Sequence, residues 1–442
     1  MTVPPALTWT CLFPADASYR CDAAPDWMLQ MLRLFEEGGG RVQVGYGQCA
    51  RSDSKDLIGQ IVINPCRGVE RELRDGDFTY IRRFAVLPSL RNARWFIPLD
   101  SGPIAAGAFS LYTPARASAR LKRFVARALA HTRLPLWYRD HLIIASRQMP
   151  PIESRIRDLF DGTDIRLAIS AGAPEPARNR KPSLAVLNPS GQIIAVAKIG
   201  NSHLSRQITA HESSVLSALG SESDLGVRRV PQLLFSGDVD GRFLMVQSAL
   251  AGNPPAAQLT SAHLRFLDAL RRGPVKPALE SAMIRSLEAR LSVLPNPAPR
   301  LLGILDAFRP TLQSVHVPST IVHGDFAPWN LRQHDSVIAA FDWEYAQLDG
   351  LPLIDETHFR LQVGYLLEQW TDERAARELQ TANEGAPLGL SAQQACALQT
   401  VYLLDMLARL LDEGYDPDDE MVAWYRRVLR RLAPSQKEVV LA

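Results

Sequence analysis

The chain has 442 residues, of which 46% are hydrophobic and 22% are charged, and its formal net charge is +2. This length predicts two or three domains with well-developed cores, and the near balance of charge argues against nucleic acid as a partner, because nucleic-acid binders usually carry a strong basic excess. The five cysteines are widely spread and include no CxxC pair, which favours free thiols in a reducing cytoplasm over a disulfide framework or a zinc site.

The sequence predicts a cytoplasmic protein without a transmembrane segment. Its beginning, MTVPPALTWTCLFPADASYR, lacks a basic start followed by an apolar run, so we expect no signal peptide. The most apolar stretch, RWFIPLDSGPIAAGAFSLY, is interrupted by Pro98, Asp100 and Pro103, which makes it too polar to cross a bilayer.

Short strand-like runs alternate with turns in the first quarter of the chain. RVQVGYG, LIGQIVIN and YIRRFAVLP are typical of strands, and DWMLQMLRLFEEGGG is typical of a helix that its glycine triplet would end. We therefore expect an N-terminal α/β extension over residues 1–150, whose role the pattern leaves open.

Residues 115–132, ARASARLKRFVARALAHT, predict an amphipathic helix. Its apolar stripe would consist of Leu121, Phe124, Val125 and Leu129. Basic residues repeat along an adjoining face at positions Arg116, Arg120, Arg123 and Arg127. We favour a solvated basic face, and the alternative is a surface that meets an anion or a membrane. A second helix, IESRIRDLFDG, would lead into the next domain.

From residue 164 onward the pattern becomes regular. DIRLAISAG predicts a strand, and SLAVLNPSGQIIAVAKIG predicts a hairpin that turns at Asn-Pro-Ser-Gly. SRQITAHESSVLSALG predicts a helix with Ser205 as its N-cap, and VPQLLFSGDVDGRFLMVQSALAG predicts a second hairpin. The rest of the chain is mostly helical in pattern, apart from short strands around 321–342.

Lys198 lies in the otherwise apolar strand IIAVAKIG, where an unpaired ammonium would be costly. Glu212 follows in the next predicted helix, four residues after Ile208 and four before Leu216, so it points with the apolar face of that helix. The two side chains could form one buried ion pair that holds the ammonium against nucleotide phosphates. The alternative is a lysine at a strand end and a glutamate at a helix flank.

The most informative stretch is HGDFAPWN at residues 323–330, followed by FDWE. Both TIVHGD and VIAAFDW predict buried strands that end in polar groups, and an unpaired carboxylate there would be expensive. Asp325 could accept or orient the proton of an attacking hydroxyl, while Asn330 and Asp342 offer the hard oxygen ligands that Mg²⁺ prefers. The alternative is a polar turn between two strands.

VHGDFAPWNL followed by FDWE resembles the aminoglycoside phosphotransferase and choline kinase group of the protein-kinase-like fold, which uses H-G-D-x-x-x-x-N where protein kinases use H-R-D-x-x-x-x-N. The resemblance covers about 164–430. It implies an α+β protein with a β-rich N-lobe at 151–250 and a larger helical C-lobe at 251–442.

The resemblance also implies roles for individual residues. Asp325 would be the catalytic base or the residue that orients the substrate, and His323 and Asp355 would support the site. Asn330 and Asp342 would bind Mg²⁺. Lys198 would bind the phosphates of ATP, with Glu212 fixing it, and the backbone from Gln247 to Ala249 would meet adenine.

The predicted phosphate loop departs from the group's pattern. SAGAPEPARNRKPS contains one glycine, so Arg178, Arg180 and Lys181 would meet phosphate instead, or the segment is a mobile basic loop. Drug-modifying members of the group bind polycations, which call for acidic pockets, and the balanced charge of this chain favours a hydroxyl of a sugar or another small metabolite.

Three functions follow from this pattern. The favoured one is an ATP- and Mg²⁺-dependent small-molecule kinase. The alternative is a pseudokinase-like module that binds nucleotide or regulates without phosphate transfer. The glycine-poor loop and the long extension are the features that leave this alternative open. A membrane-associated enzyme of cell-surface polysaccharide assembly, with the 115–132 helix on the bilayer, is a third.

Overall fold

The computed structural model describes residues 8–13, 41–46, 57–111, 117–132, 134–171, 181–220, 229–294, 298–385 and 387–433. The chain divides into two compact units. The β unit comprises Met1–Ala173, Arg180–Ser213 and Leu233–Ala249, and the helical unit comprises Pro174–Asn179, Ser214–Gln232 and Leu250–Ala442. The protein is therefore of the predicted α+β class, with strands concentrated in one unit and helices in the other.

The β unit is built on a sheet of eleven described strands in the order β10-β11-β9-β8-β7-β5-β4-β6-β3-β1-β2. The first six strands are β1 (Thr8–Phe13), β2 (Arg41–Tyr46), β3 (Leu57–Ile63), β4 (Tyr80–Leu87), β5 (Trp95–Pro98) and β6 (Asp140–Ser146). The other five are β7 (Arg166–Ser170), β8 (Ser183–Leu187), β9 (Ile193–Gly200), β10 (Leu233–Val239) and β11 (Arg242–Ser248). Only the pairs β1–β2 and β1–β3 are parallel among these strands.

The strands of the predicted extension and those of the predicted N-lobe form one continuous sheet. Trp95 and Phe96 of β5 pair with Ser170 and Ile169 of β7, and the Ala171 amide donates to the Arg94 carbonyl at 2.8 Å. Each strand thereby covers an edge that would otherwise expose unpaired backbone groups. Sequence patterning did not predict this junction.

Both faces of the sheet are covered, because successive side chains of a strand point to opposite sides. Phe84 and Val86 lie in a large core cluster that also contains Ile152 and Ile156 of helix α4 (Pro151–Asp158), whereas Ala85 lies in a cluster on the other face. That second cluster includes the helices α2 (Gly102–Ala108) and α3 (Ala117–His131). A third cluster holds α1 (Val69–Asp75).

Close backbone contact seats α2 on the turn between β8 and β9. A Cβ atom on Gly107 would lie 1.7 Å from the Gly191 carbonyl oxygen, and one on Gly191 would lie 2.0 Å from that of Pro103. Gly191 also has a φ of +80°, which favours glycine. The α2 segment therefore packs directly on the β8–β9 turn. This is a second contact between the predicted extension and the predicted N-lobe, besides the pairing of β5 with β7.

The helical unit is arranged around a long buried helix, α11 (Ala392–Asp412). The other helices are α6 (Ser261–Asp268), α7 (Ala282–Val293), α8 (Ala298–Ser314), α9 (Ile354–Leu366), α10 (Asp372–Glu384) and α12 (Glu420–Leu432). Helices α7 to α12 all contribute to one hydrophobic core. The unit also contains the sheet β12-β13-β16 (Arg271–Pro277, His316–Val322, Gln347–Gly350) and the hairpin β14–β15 (Leu331–His334, Val337–Ala340).

Most predicted elements form, with several differences. Helix α5 (His203–Gly220) begins before the expected Ser205, because the Ser202 side chain accepts from the Ser205 amide at 3.2 Å and serves as the N-cap instead. The expected helix at 152–162 ends at Asp158. Strands β12 and β16 were not predicted, and the expected helix in DWMLQMLRLFEEGGG lies outside the described residues.

Candidate active site

Two adjacent elements of the helical unit position the predicted catalytic segment. Strand β13 leads directly into His323–Asp325, and a short 3₁₀ turn, Pro328–Asn330, precedes β14. In the β14–β15 hairpin Leu331 pairs with Ala340, and the Phe341 amide donates to the Asn330 carbonyl at 3.0 Å. Asn330 therefore lies just before the first strand of this hairpin, and Asp342 lies just beyond its second strand.

Each carboxylate oxygen of Asp325 accepts a hydrogen bond. His358 Nε2 lies 2.9 Å from Oδ1, and Asn330 Nδ2 donates to Oδ2 at 2.7 Å. Asn330 Nδ2 also donates to the Asp325 carbonyl at 3.0 Å. The Asp325 side chain keeps 27% of its surface exposed. It is thus a fixed carboxylate that can still receive a proton from an approaching hydroxyl.

His358 belongs to a buried chain of polar groups behind Asp325. Tyr402 OH lies 3.2 Å from His358 Nδ1 and 3.4 Å from Tyr425 OH, and Gln362 Nε2 donates to Tyr425 OH at 3.1 Å. If each hydroxyl donates toward His358, Nδ1 accepts and the Nε2 proton points at Asp325. In that arrangement His358 carries its proton on Nε2 and donates it to the Asp325 carboxylate.

The backbone of the predicted catalytic loop, residues 323–330, is clamped from two helices. Asp355 of α9 accepts from the His323 amide at 2.8 Å and from the Gly324 amide at 2.9 Å, and Arg409 of α11 donates to the Gly324 carbonyl at 2.8 Å. Burial raises the pKa of Asp355, and its opposing contacts with His323 favour the charged form. Asp355 thus has the bracing position expected from the sequence.

Gly324 cannot be replaced without moving the loop. Its φ is +80°, and an added Cβ would lie 2.3 Å from the Tyr345 carbonyl oxygen. The glycine of the HGD motif is therefore required both by the left-handed backbone and by a neighbouring chain segment.

His323 is a buried structural group. Its Nε2 lies 3.0 Å from the Phe341 carbonyl and its Nδ1 accepts from the Asp325 amide at 3.2 Å. Burial lowers the pKa of His323, although the carboxylates of Asp355 and Asp325 oppose that shift. The neutral ring links the loop that carries Asp325 to the segment that carries Asp342.

The expected metal ligands have suitable donor atoms. Because both bonds of Asn330 to Asp325 use its Nδ2, its Oδ1 is left for another partner. Asp342 is half-buried and has a φ of +71°, an unusual conformation for a residue other than glycine. An amide oxygen with a carboxylate is a donor set that suits Mg²⁺.

Trp343, beside Asp342, packs in the core. It is fully buried, its Nε1 donates to the Ala340 carbonyl at 2.9 Å, and its ring centroid lies 4.5 Å from that of His323. It is therefore a residue of the core.

In the β unit, Lys198 and Glu212 form the predicted ion pair. Lys198 Nζ lies 2.5 Å from Glu212 Oε1 and 2.6 Å from Oε2, and both side chains are buried. Lys181 approaches the same carboxylate at 4.0 Å. Two ammonium groups therefore meet one buried carboxylate. Of the predicted phosphate loop, Arg178 and Arg180 lie outside the described residues.

The predicted adenine-binding segment lies at the end of β11. The Ala249 amide donates to the Ile194 carbonyl at 3.1 Å, so this amide is already used within the sheet. Gln247 is buried, and its Oε1 meets no hydrogen-bond partner among the described residues. An unpaired buried acceptor is costly, so Gln247 Oε1 is a polar atom that a bound ligand could satisfy.

Sequence analysis named Asp355 but missed His358, Gln362, Tyr402 and Arg409, which support Asp325 and its loop from behind. Asp355, His358 and Gln362 lie three and four residues apart and share one face of α9, so helical spacing from Asp355 was the available signal. No comparable signal pointed to Tyr402 or Arg409, which lie on α11.

Residues 223–387 match the family model described as "Phosphotransferase enzyme family". These residues include the catalytic loop and the hairpin. The match is a similarity of this segment to that family. The resemblance read from HGDFAPWN and FDWE is therefore confirmed, and a phosphotransferase is the activity that the match supports.

Several solved structures are also similar to this chain. A thermostable mutant of the aminoglycoside phosphotransferase APH(4)-Ia is 14% identical, with a TM-score of 0.43 over 65% of this chain and 98% of that chain. A putative fructosamine-3-kinase from Haemophilus somnus 129PT is 17% identical, with a TM-score of 0.42 over 64% and 96%. No curated protein matches the chain.

Across the described ranges, none of the helices combines the length and apolar character needed to cross a bilayer.

Proposed function

We propose that this protein is an ATP- and Mg²⁺-dependent phosphotransferase that moves the γ-phosphoryl group to a hydroxyl of a sugar or another small metabolite. The observation that carries the proposal is the state of Asp325, a carboxylate fixed at both oxygens by His358 and Asn330 yet partly open to solvent. The phosphotransferase-family match over the same residues supports it.

In this proposal Asp325 orients the acceptor hydroxyl and takes its proton as the oxygen attacks the γ-phosphorus. A new P–O bond forms, the bond between the γ-phosphorus and the bridging β–γ oxygen breaks, and ADP leaves with the electron pair of that bond. Because phosphoryl transfer depends mainly on positioning and charge, a rigidly held carboxylate is more useful here than a strong base.

We assign the ligand contacts as follows. Lys198, fixed by Glu212, would bind the nucleotide phosphates, and Gln247 with Ala249 would border adenine. Asn330 Oδ1 and the Asp342 carboxylate would hold Mg²⁺, which would neutralise charge that develops on the phosphates. Because the Ala249 amide is bonded within the sheet, the free acceptor of Gln247 is the better supported of the two adenine contacts.

We also propose that the enzyme works in the cytoplasm, where ATP and Mg²⁺ are supplied. Cys11 and Cys396 are free thiols, which suits a reducing compartment.

The test compares thermal unfolding with and without Mg·ATP in the wild type, Asp342→Asn and Asp325→Asn. A ligand at about one hundred times its dissociation constant stabilises the folded state by roughly 2.7 kcal/mol. We expect this stabilisation in the wild type and in Asp325→Asn, and a smaller one in Asp342→Asn. Asp418→Asn, a change at an exposed carboxylate, is the matched control.

Phosphate transfer to a panel of small hydroxyl compounds completes the test. We expect Asp325→Asn to lose transfer while it keeps nucleotide binding. Turnover retained in both Asp325→Asn and Asp342→Asn would refute the site. Stabilisation by Mg·ATP without transfer to any hydroxyl would instead support the pseudokinase-like alternative.

A further inference from the structure

Helix α3 of the β unit presents its large apolar side chains to solvent. Its inward face consists of small residues: Ala126 packs against a core cluster and Ala130 is fully part of that cluster. Gly102 of α2 allows this close packing, because a Cβ atom at that position would lie only 2.1 Å from the His131 carbonyl oxygen. The helix therefore meets this core cluster through alanines.

The outward face carries Leu121, Phe124 and Val125, whose exposed fractions are 65%, 70% and 48%. These residues, together with Ala128, follow the i, i+3, i+4, i+7 spacing of one helical stripe. Single exposed apolar residues are common, but a contiguous stripe of large ones marks an interaction surface. The predicted stripe is thus present, except that its fourth member, Leu129, is half-buried.

The charge of α3 is entirely positive. Arg120, Lys122 and Arg127 are exposed beside the apolar stripe, Arg123 is half-buried, and residues 117–131 contain no Asp or Glu. The whole chain, by contrast, has a net charge of only +2. Cationic and large apolar groups are therefore concentrated on the same solvent-facing side of one helix.

We propose that α3 docks the β unit on an anionic lipid bilayer. Leu121, Phe124 and Val125 would enter the headgroup region, and Arg120, Lys122 and Arg127 would meet lipid phosphates. A helix with this distribution lies in the plane of the membrane interface, and its 15 residues span about 22 Å. This proposal is independent of the proposed function.

Charge and shape disfavour the other occupants. A second copy that packed α3 against α3 would oppose like charges across a two-fold axis. Nucleic acid would pair with the arginines but would leave the leucine, phenylalanine and valine side chains in water. An anionic membrane surface satisfies both the charges and the apolar stripe.

The test is flotation of the full-length protein with vesicles of phosphatidylcholine mixed with phosphatidylglycerol, and with vesicles of phosphatidylcholine alone. We expect flotation with the anionic vesicles only, and less of it as salt increases. Because each cation near an anionic surface contributes about a fivefold gain in affinity, Arg120→Glu/Arg127→Glu should weaken binding by at least about 25-fold.

Two further variants separate the contributions. Leu121→Ser/Phe124→Ser keeps every charge and should weaken binding by about tenfold or more, because it removes the side chains that enter the bilayer. Arg71→Glu/Arg74→Glu changes the charge of the protein equally but lies on α1, where both side chains are exposed, and should bind as the wild type does. Unfolding temperature checks that each variant is folded.

Three results would overturn the proposal. One is failure of the wild-type protein to float with anionic vesicles. The second is an equal loss of binding in Arg71→Glu/Arg74→Glu, which would show a general charge effect. The third is a wild-type dimer in solution that Leu121→Ser/Phe124→Ser converts to a monomer without any change in flotation, which would assign the stripe to a second copy of the chain.

Discussion

Replacing His358 should separate the positioning of Asp325 from the binding of nucleotide. His358 is buried and, among the residues that the structure describes, is one of two donors to the Asp325 carboxylate, at 2.9 Å from Oδ1. In His358→Leu that oxygen loses its donor, and the carboxylate can rotate about the remaining bond to Asn330. Tyr402 loses its acceptor at 3.2 Å in the same change.

The size of the effect follows from the bond that is lost. A hydrogen bond to a charged group contributes about 1.5–3 kcal/mol. Since 27% of the Asp325 side chain is exposed, water can replace part of this contribution, and we take the lower half of the range. If about 1.5–2 kcal/mol is lost only in the transition state, kcat falls roughly 10- to 30-fold with little change in KM for ATP.

The assay is steady-state ADP release with the acceptor that screening identifies, or basal ATP hydrolysis if none is found. His358→Gln places an amide donor near the position of Nε2 and should recover most of the lost activity. His316→Leu, at an exposed histidine of β13, is the matched control. Wild-type turnover in His358→Leu, or an equal loss in His358→Gln and His358→Leu, would refute the positioning role.

Three further predictions concern stability. Gly324→Ala should cost about 2 kcal/mol or more and abolish turnover, because both its positive φ and the Tyr345 carbonyl exclude a Cβ atom; a urea melt that matches the wild type would contradict this. Lys198→Met should destabilise the fold by about 3 kcal/mol, because the buried Glu212 loses its close partner and keeps only Lys181 at 4.0 Å, whereas Lys198→Met/Glu212→Leu should recover stability but not stabilisation by Mg·ATP; no recovery in the double variant would argue against an ion-pair effect. Burial lowers the pKa of His263 to about 4. Between about pH 6.5 and pH 4 this histidine is therefore protonated in the unfolded chain and neutral in the native protein, so the free energy of unfolding falls as pH decreases. Between pH 7 and 5 this histidine should account for about 2 kcal/mol, which His263→Gln removes; an unchanged pH dependence of the urea midpoint in that variant would contradict the assignment.

Glutamine is the appropriate replacement at His263 because of the helix cap. His263 Nδ1 accepts from the Thr260 amide at 3.1 Å, in the position where glutamine or glutamate closes a capping box. Its Nε2 is buried near Phe326 and Phe359 and has no hydrogen-bond partner among the described residues. Glutamine keeps an acceptor for the cap and removes the titrating ring, so the variant isolates the proton effect.

Local pattern predicted the parts of the site that lie within one short segment. Asp325 follows the end of a strand, Asn330 closes a short turn and Asp342 follows a hairpin. The sequence carries a local signal for each of these elements. Lys198 and Glu212 were predicted for a similar reason, since a charged residue on an apolar face requires a partner.

The missed features depend on pairing between distant segments. The junction of β5 with β7 rests on two residue pairs that follow no pattern in either strand. Strand β12, RRGPVKP, contains glycine and two prolines, which argue against a strand. It forms because it is an edge strand of the sheet β12-β13-β16, where proline removes no essential ladder bond.

The geometry around Asp325 depends on the packing of α11 as much as on the catalytic loop. Tyr402, Asp405 and Arg409 lie on one face of that helix: Tyr402 contacts His358, and Arg409 is held by Asp405 and binds the Gly324 carbonyl. A small rotation of α11 would therefore move the donor to the carboxylate and the clamp on the loop together. We infer that substitutions in the core around α11 will reduce turnover at temperatures where the protein is still folded, because catalysis needs the helix in one position whereas folding needs only that it stay buried.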